Sequence, residues 1–117
     1  PHRFGGREFN LDTREIGHIH GDKLVDIPFP KKVRDELVNA GEANAHHILP
    51  ESGWISFYIR EEGDVGKAIR LLEKSYQLAL EQKARKVAMS NELKAMSTKT
   101  LLIAQKSLAA GSIWSSA

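Results

Sequence analysis

Residues 14–30, REIGHIHGDKLVDIPFP, predict two β-strands joined by a tight turn. The runs 14–20 and 23–29 are rich in β-branched and other apolar residues, and prolines close the second run. Gly21-Asp22 lies between them, and glycine at the first central position favours a two-residue hairpin loop. The stretch therefore predicts an antiparallel hairpin.

The same turn predicts which residues face each other. A two-residue loop places His20 opposite Lys23 and His18 opposite Val25. Because side chains alternate along a strand, one sheet face would then carry the following residues: Ile16, His18, His20, Val25 and Ile27. The two histidines are thus expected at the end of an apolar face.

The rest of the chain predicts an α+β fold. REFNL (7–11) and WISFYI (54–59) are strand-like, and residues 31–40 and 64–82 have helical apolar spacing. Residues 42–53 have no clear period and are expected to form a loop. We predict a small antiparallel sheet of about four strands packed by two helices on one side, with a helical C-terminal extension.

The charge is divided unevenly along the chain. Residues 1–82 hold 11 Lys and Arg against 14 Asp and Glu, whereas residues 83–117 hold 6 against 1. We therefore predict a domain over 1–82 and a basic extension over 83–117, either helical or partly disordered, with any helix ending at Gly111. A single helix over 64–108 would be roughly 65 Å long, more than such a small domain can cover, and would favour a second copy as partner.

Composition excludes several classes of protein. The 117 residues include no cysteine, so disulfides, thiolate metal sites and cysteine nucleophiles are excluded, and a cytoplasmic location is expected. No run of about 18 apolar residues predicts a membrane span. Nucleic-acid binding is not expected, because the basic tail has no interleaved aromatic residues for stacking.

The histidines are the candidates for chemistry. His18 and His20, with His46 or His47 from the loop, could hold a transition metal or transfer protons. Packed histidines that only bond their neighbours are the alternative. Either Asp22 or Glu51 could orient a histidine ring. Aromatic side chains of the last strand, Trp54 and Tyr58, could line a ligand pocket, although such a face is more often core.

Several motifs together resemble the luciferase-like domain of fungal luciferases and of many prokaryotic proteins without an assigned activity. They are REIGHIH, the helix end NAG, HHILPESGWISFYIRE and GDVGKAIRLLEKSYQLA, and the similarity covers roughly residues 4 to 80. On this resemblance His18 and His20 match a paired-histidine strand, His47 a downstream histidine, and Trp54 the start of a strand. The resemblance implies oxygenation of a hydroxylated pyrone-type molecule by O₂, without a metal or other cofactor.

Two functions remain open from the sequence. In the first, the domain binds a small organic molecule and oxygenates it or transfers protons. His18 would then be the base or the stabiliser of an oxygen intermediate, His20 and His47 would assist, and Trp54, Tyr58 and Asp22 would contact the ligand. In the second, the chain is a non-catalytic module that self-associates through its C-terminal helix.

Overall fold

The structure is a computed structural model that describes residues 6–115, with side chains up to residue 109. Five strands and two helices form the fold in chain order: β1 (Arg7–Leu11), β2 (Arg14–His20), β3 (Leu24–Pro28), α1 (Lys31–Asn39), β4 (Asn44–Ala45), β5 (Trp54–Tyr58) and α2 (Gly63–Ser115). The predicted α+β fold with a helical extension is confirmed.

The five strands make one antiparallel sheet in the order β1-β2-β3-β5-β4. The sheet has one strand more than the four predicted. The additional strand is the two-residue β4, which lies in the stretch predicted as loop. It pairs with β5, with Asn44 opposite Ser56. Two residues are too few to show a period of two, so sequence alternation could not reveal this strand.

The predicted register of the β2-β3 hairpin is wrong by one residue. His20 pairs with Leu24 and His18 with Asp26, so the loop has three residues rather than two. Gly21 supports that loop with a φ of 62°, in the left-handed region that favours glycine. Because the side-chain period is two, this shift moves Val25 and Ile27 to the face opposite the histidines.

The hydrophobic core forms where the two helices pack on the apolar face of the sheet. The buried cluster contains Val25, Ile27, Phe29, Leu37, Ala43, Ile55, Phe57, Ala68 and Leu71. Helix α2 approaches β2 closely at Gly17, where an added Cβ would lie 2.8 Å from Leu72 Cδ2. Ser75 Oγ also donates to the carbonyl oxygen of Ile16 over 2.8 Å. This packing leaves the histidine-bearing face outside the core.

The helix ends follow local signals in part. Gly41, with a φ of 73° in the region that favours glycine, follows α1. Asp64 lies in the first turn of α2, and its carboxylate accepts the backbone N–H groups of Arg60 and Glu61. The prediction that Gly111 ends the last helix is wrong, because α2 continues to Ser115. A single glycine weakens a helix without necessarily breaking it.

The chain divides into two units, residues 1–80 and 81–117. In the second unit the described backbone is helical, and the side chains of residues 83–109 are exposed. The domain boundary predicted after Gln82 stays a prediction. Among the described helices, none has an apolar stretch long enough to cross a membrane.

Candidate functional site

A buried carboxylate lies at the centre of the sheet face opposite the core. Asp26 sits in the middle of β3 with 0% of its surface exposed. Its neighbour on β5 is Ser56, which is also fully buried and donates its hydroxyl to Asp26 Oδ1 over 2.7 Å. A buried charge is tolerated only where such partners replace water.

Four histidines surround the other oxygen of this carboxylate. On β2, His18 and His20 place Nε2 at 3.3 and 3.0 Å from Asp26 Oδ2. After β4, His46 and His47 place Nε2 at 3.3 and 3.0 Å from the same atom. The strand register brings His18 and His20 here, because residues 18 and 20 share a face and His18 pairs with Asp26.

A second carboxylate holds His18. Glu15 Oε1 lies 2.6 Å from His18 Nδ1, while His18 Nε2 faces Asp26. At that separation a proton lies between the two atoms, and since an ionised carboxylate only accepts, His18 Nδ1–H is the donor. The other ring nitrogen, His18 Nε2, faces Asp26 Oδ2 at 3.3 Å.

His46 has the opposite tautomer. Its Nδ1 accepts the backbone N–H groups of Ile48 and Leu49 over 3.2 and 3.0 Å. An Nδ1 that accepts carries no proton, so the ring proton of neutral His46 is on Nε2, where it faces Asp26. His46 therefore donates to the buried carboxylate.

The surroundings of Asp26 and His46 lower the pKa of both groups. Burial by itself would raise the pKa of Asp26, but hydrogen bonds from Ser56 and His47 and the nearby imidazoles of His46 and His47 lower that pKa below its usual value. Burial lowers the pKa of His46, and this outweighs the opposing effect of Asp26. At neutral pH the site thus contains an ionised Asp26 and a neutral His46.

A cavity of about 460 Å³ opens over this cluster. Its walls are the four histidines, Asp26, Trp54, Ile48 and Leu49. The Trp54 ring centroid lies 5.3 Å from that of His18. Ile48 and Leu49 are 70% and 52% exposed, so they give the cavity an apolar rim. Small-molecule sites combine an apolar wall with a few convergent polar groups in this way.

The structure brings together four of the six residues predicted for the site. His18, His20, His47 and Trp54 all line the cavity. Tyr58 lies four residues beyond Trp54 on β5, beneath the Arg60 guanidinium, and Asp22 is exposed in the hairpin loop. Neither of these two residues lines the cavity.

Asp26 and His46 are the residues that sequence reasoning left out or left open. The signal for Asp26 is a single acidic residue inside the apolar run LVDIP, a residue type that is rarely buried without a partner. His46 was an alternative to His47, and the structure places both against Asp26.

Two sets of three residues place potential metal-ligating atoms within 4.8 Å of one another: His18, His20 and Asp26, and Asp26, His46 and His47. The second set is weakened by its tautomer, because His46 Nε2 carries a proton.

A family model described as Luciferase domain matches residues 13–75, which is more than half of the chain. The match includes every residue of the cluster around Asp26. A search of curated proteins and a search of solved structures each found no match.

Proposed function

Because the chain belongs to the Luciferase domain family, we propose that it binds a small hydroxylated organic molecule in the cavity over Asp26 and removes a proton from it. The observation that carries the proposal is the contact between the fully buried Asp26 and the partly exposed His47, whose Nε2 lies 3.0 Å from Asp26 Oδ2. The family match agrees with the resemblance to luciferase-like domains that the sequence motifs indicated.

The carboxylate prepares the histidine for proton transfer. Asp26 accepts Nε2–H of His47, which fixes the tautomer and leaves Nδ1 as the basic nitrogen of the neutral ring. The same logic operates wherever a buried carboxylate orients a catalytic histidine. With 29% of its side chain exposed, His47 can meet a bound molecule.

His18 suits a different role from the base. Only 11% of its side chain is exposed, and both ring nitrogens face carboxylates. Its proposed role is to help stabilise charge at the site, and His20, 29% exposed, assists His47.

The cavity matches the chemistry of the proposed ligand. Its volume of about 460 Å³ lies in the range of about 300–1,000 Å³ that is common for small-molecule sites. Trp54 offers a flat apolar wall to a planar ring, and Ile48 and Leu49 form the apolar rim of the cavity. These contacts favour a small aromatic or heteroaromatic molecule, with its acidic hydroxyl toward the histidines.

Loss of the proton prepares such a molecule for reaction with O₂. The anion is electron-rich at carbon, so addition of O₂ forms one carbon–oxygen bond and leaves the second oxygen as a peroxide anion. The carbon is oxidised, O₂ is reduced, and imidazole N–H groups can stabilise the new negative charge. We propose this addition of O₂ as the reaction that follows proton removal.

The test uses a simple hydroxylated pyrone that keeps its hydroxyl proton in neutral solution, 3-hydroxy-2-methyl-4-pyrone, and its O-methyl ether. A Trp114→Phe background leaves Trp54 as the sole tryptophan and fluorescence reporter. We expect saturable quenching by the pyrone, at least about 10-fold weaker binding of the ether, and loss of that preference in His47→Ala. An oxygen electrode then tests whether the pyrone is oxygenated. Equal binding of pyrone and ether would contradict the proton-transfer role.

Self-association through the extension is the second candidate. Met89, Leu93, Met96 and Ile103 are each more than half exposed and follow one another at intervals of four, three and seven residues. This is the spacing of a seam between two coiled helices. A second copy of the chain is the occupant that such a seam fits.

The measurement for this candidate is molar mass by light scattering after size exclusion. The full chain should be dimeric, and a chain truncated after Gln82 should be monomeric. A monomeric full chain would rule out the seam. Neither result affects the pyrone test, which depends on residues of the first unit.

A further inference from the structure

A second cavity, of about 450 Å³, lies on the helix-packed side of the sheet. Phe57 of β5 lines it, whereas the preceding Ser56 faces Asp26, because side chains alternate along a strand. The two cavities share no lining residue. We propose that this second cavity binds a small amphiphilic carboxylate, independently of the molecule bound over Asp26.

Three basic side chains of α2 border this cavity. Lys67, Arg70 and Lys74 follow one another at intervals of three and four residues, which places them on one face of the helix. All three are exposed. Within the part of the chain that the structure describes, Arg70 and Lys74 take part in no ion pair, and Lys67 Nζ lies 3.9 Å from Asp64 Oδ1. The basic groups are therefore available to a bound anion.

The positive charge of the cavity is opposite to that of the surrounding domain. Residues 1–82 hold 11 Lys and Arg against 14 Asp and Glu, yet three basic residues and one acidic residue, Glu42, line the cavity. Like charges three and four residues apart on a helix repel each other. An anion that binds among them removes this repulsion, so the local charge favours an anionic ligand.

The floor of the cavity is apolar. Leu37, Phe57 and Leu71 line it, and all three are buried members of the hydrophobic core. They come from α1, β5 and α2, so three packed elements hold the floor in place. Leu71 follows Arg70 directly and precedes Lys74 by three residues, which brings the apolar and the basic parts together. A ligand that contacts both parts has an anionic group joined to a hydrocarbon body.

The mixture of charges favours a carboxylate as the anionic group. The guanidinium of Arg70 can donate two parallel hydrogen bonds to the two oxygens of a carboxylate. The acidic Glu42 repels a doubly charged phosphate more strongly than a singly charged carboxylate. The cavity volume of about 450 Å³ lies in the range of about 300–1,000 Å³ that is common for small-molecule sites.

Octanoate and octanol are the matched probes for the test, because they have the same hydrocarbon length and differ in charge. Isothermal titration calorimetry on the full chain measures their affinities. We expect saturable binding of octanoate, at least about 10-fold weaker binding of octanol, and no saturable binding of acetate, which has too little apolar surface. Octanoate should bind more weakly at about 1 M salt, where charges are screened beyond about 3 Å.

Three substitutions of exposed residues test the charges. Arg70→Gln should weaken octanoate binding by about 5- to 10-fold, since a charged donor is lost. Glu42→Gln should strengthen it by about 2- to 5-fold, since the one acidic group of the cavity is removed. Arg85→Gln is the matched control, because Arg85 is an exposed arginine of the same helix outside the cavity, and it should leave the affinity unchanged. Circular dichroism verifies that the variants fold.

Two-dimensional NMR of the full chain locates the bound octanoate. The backbone amide signals of Phe57 and Leu71 should shift on titration, whereas those of Ile48 and Trp54, at the cavity over Asp26, should not. Equal binding of octanoate and octanol, equal affinities of the Arg70 and Arg85 variants, or shifts confined to Ile48 and Trp54 would each overturn the inference.

Competition with the hydroxylated pyrone separates this inference from the proposed function. Saturating pyrone should leave the octanoate affinity unchanged, because the two cavities share no lining residue. Octanoate binding in a protein that binds no pyrone supports the second site and rejects the function. Pyrone binding without octanoate binding leaves the function standing and rejects the second site.

Discussion

Ser56 donates its hydroxyl to Asp26 across β5 and β3, with Oγ 2.7 Å from Oδ1 and both side chains fully buried. The same hydroxyl oxygen accepts the backbone N–H of His47 over 3.2 Å. One serine thus links the carboxylate at the centre of the site to the segment that carries His46 and His47.

Replacing Ser56 with alanine should destabilise the domain by about 1–3 kcal/mol, because a buried carboxylate oxygen loses its donor. Urea unfolding, followed by Trp54 fluorescence in the Trp114→Phe background, measures this change. Thr13→Ala removes a hydroxyl from an exposed turn and should change stability by less than about 0.5 kcal/mol. Equal effects of the two variants would show that the Ser56 bond contributes little.

Gly17→Ala should destabilise the domain by about 1–3 kcal/mol through overpacking. The new Cβ would lie 2.8 Å from Leu72 Cδ2 and 3.1 Å from the backbone oxygen of Asp26. Leu72 can adjust, but the β3 backbone cannot do so without disturbing the sheet. Chemical denaturation of Gly17→Ala in the wild-type and Leu72→Ala backgrounds separates the cost of the Leu72 contact from the cost of the backbone contact. The glycine substitution should cost less in the Leu72→Ala background, and an identical cost would assign the strain to the backbone contact alone.

Asp64 should stabilise the start of α2 at neutral pH but not at strongly acid pH. Backbone hydrogen bonds from Arg60 and Glu61 lower the pKa of Asp64 below its ordinary 3.8. A group with a depressed folded-state pKa gives stability that is present above its unfolded pKa and is lost as the pH falls through the folded value. The melting temperature of Asp64→Ala should therefore be below that of the wild type at about pH 7, and the gap should narrow below about pH 3.8.

Glu62→Ala is the control for this prediction. Glu62 is an exposed acidic residue of the same segment, and its carboxylate does not accept the backbone groups that Asp64 holds. Its melting temperature should follow that of the wild type across the pH range. A gap for Asp64→Ala that stays constant down to about pH 2 would contradict the hydrogen-bond explanation.

Local signals in the sequence were sufficient for most elements of the fold. The strands at 7–11 and 14–20 have the predicted bounds, because alternation and β-branched residues act over a few neighbours. Gly41 ends the first helix for an equally local reason, its left-handed φ. Strand β4 was beyond such reasoning, since its two residues are ordered by pairing with β5.

The candidate site depended more heavily on the tertiary structure. Sequence reasoning identified His18, His20, His47 and Trp54, because histidines one residue apart on a strand share a face. It assigned the orienting carboxylate to Asp22 or Glu51, whereas Asp26 occupies that place. Asp26 was overlooked because the predicted two-residue turn assigned it to the opposite face.

The sequence by itself determined the α+β class, the hairpin at 14–30 and the common face of His18 and His20, since these follow from side-chain periods within single elements. Only the tertiary structure decided the partner of those histidines. A one-residue difference in loop length exchanges the two faces of a strand, and the energy that selects the register comes from burying Val25 and Ile27 beneath the helices. That choice places Asp26 among four histidines.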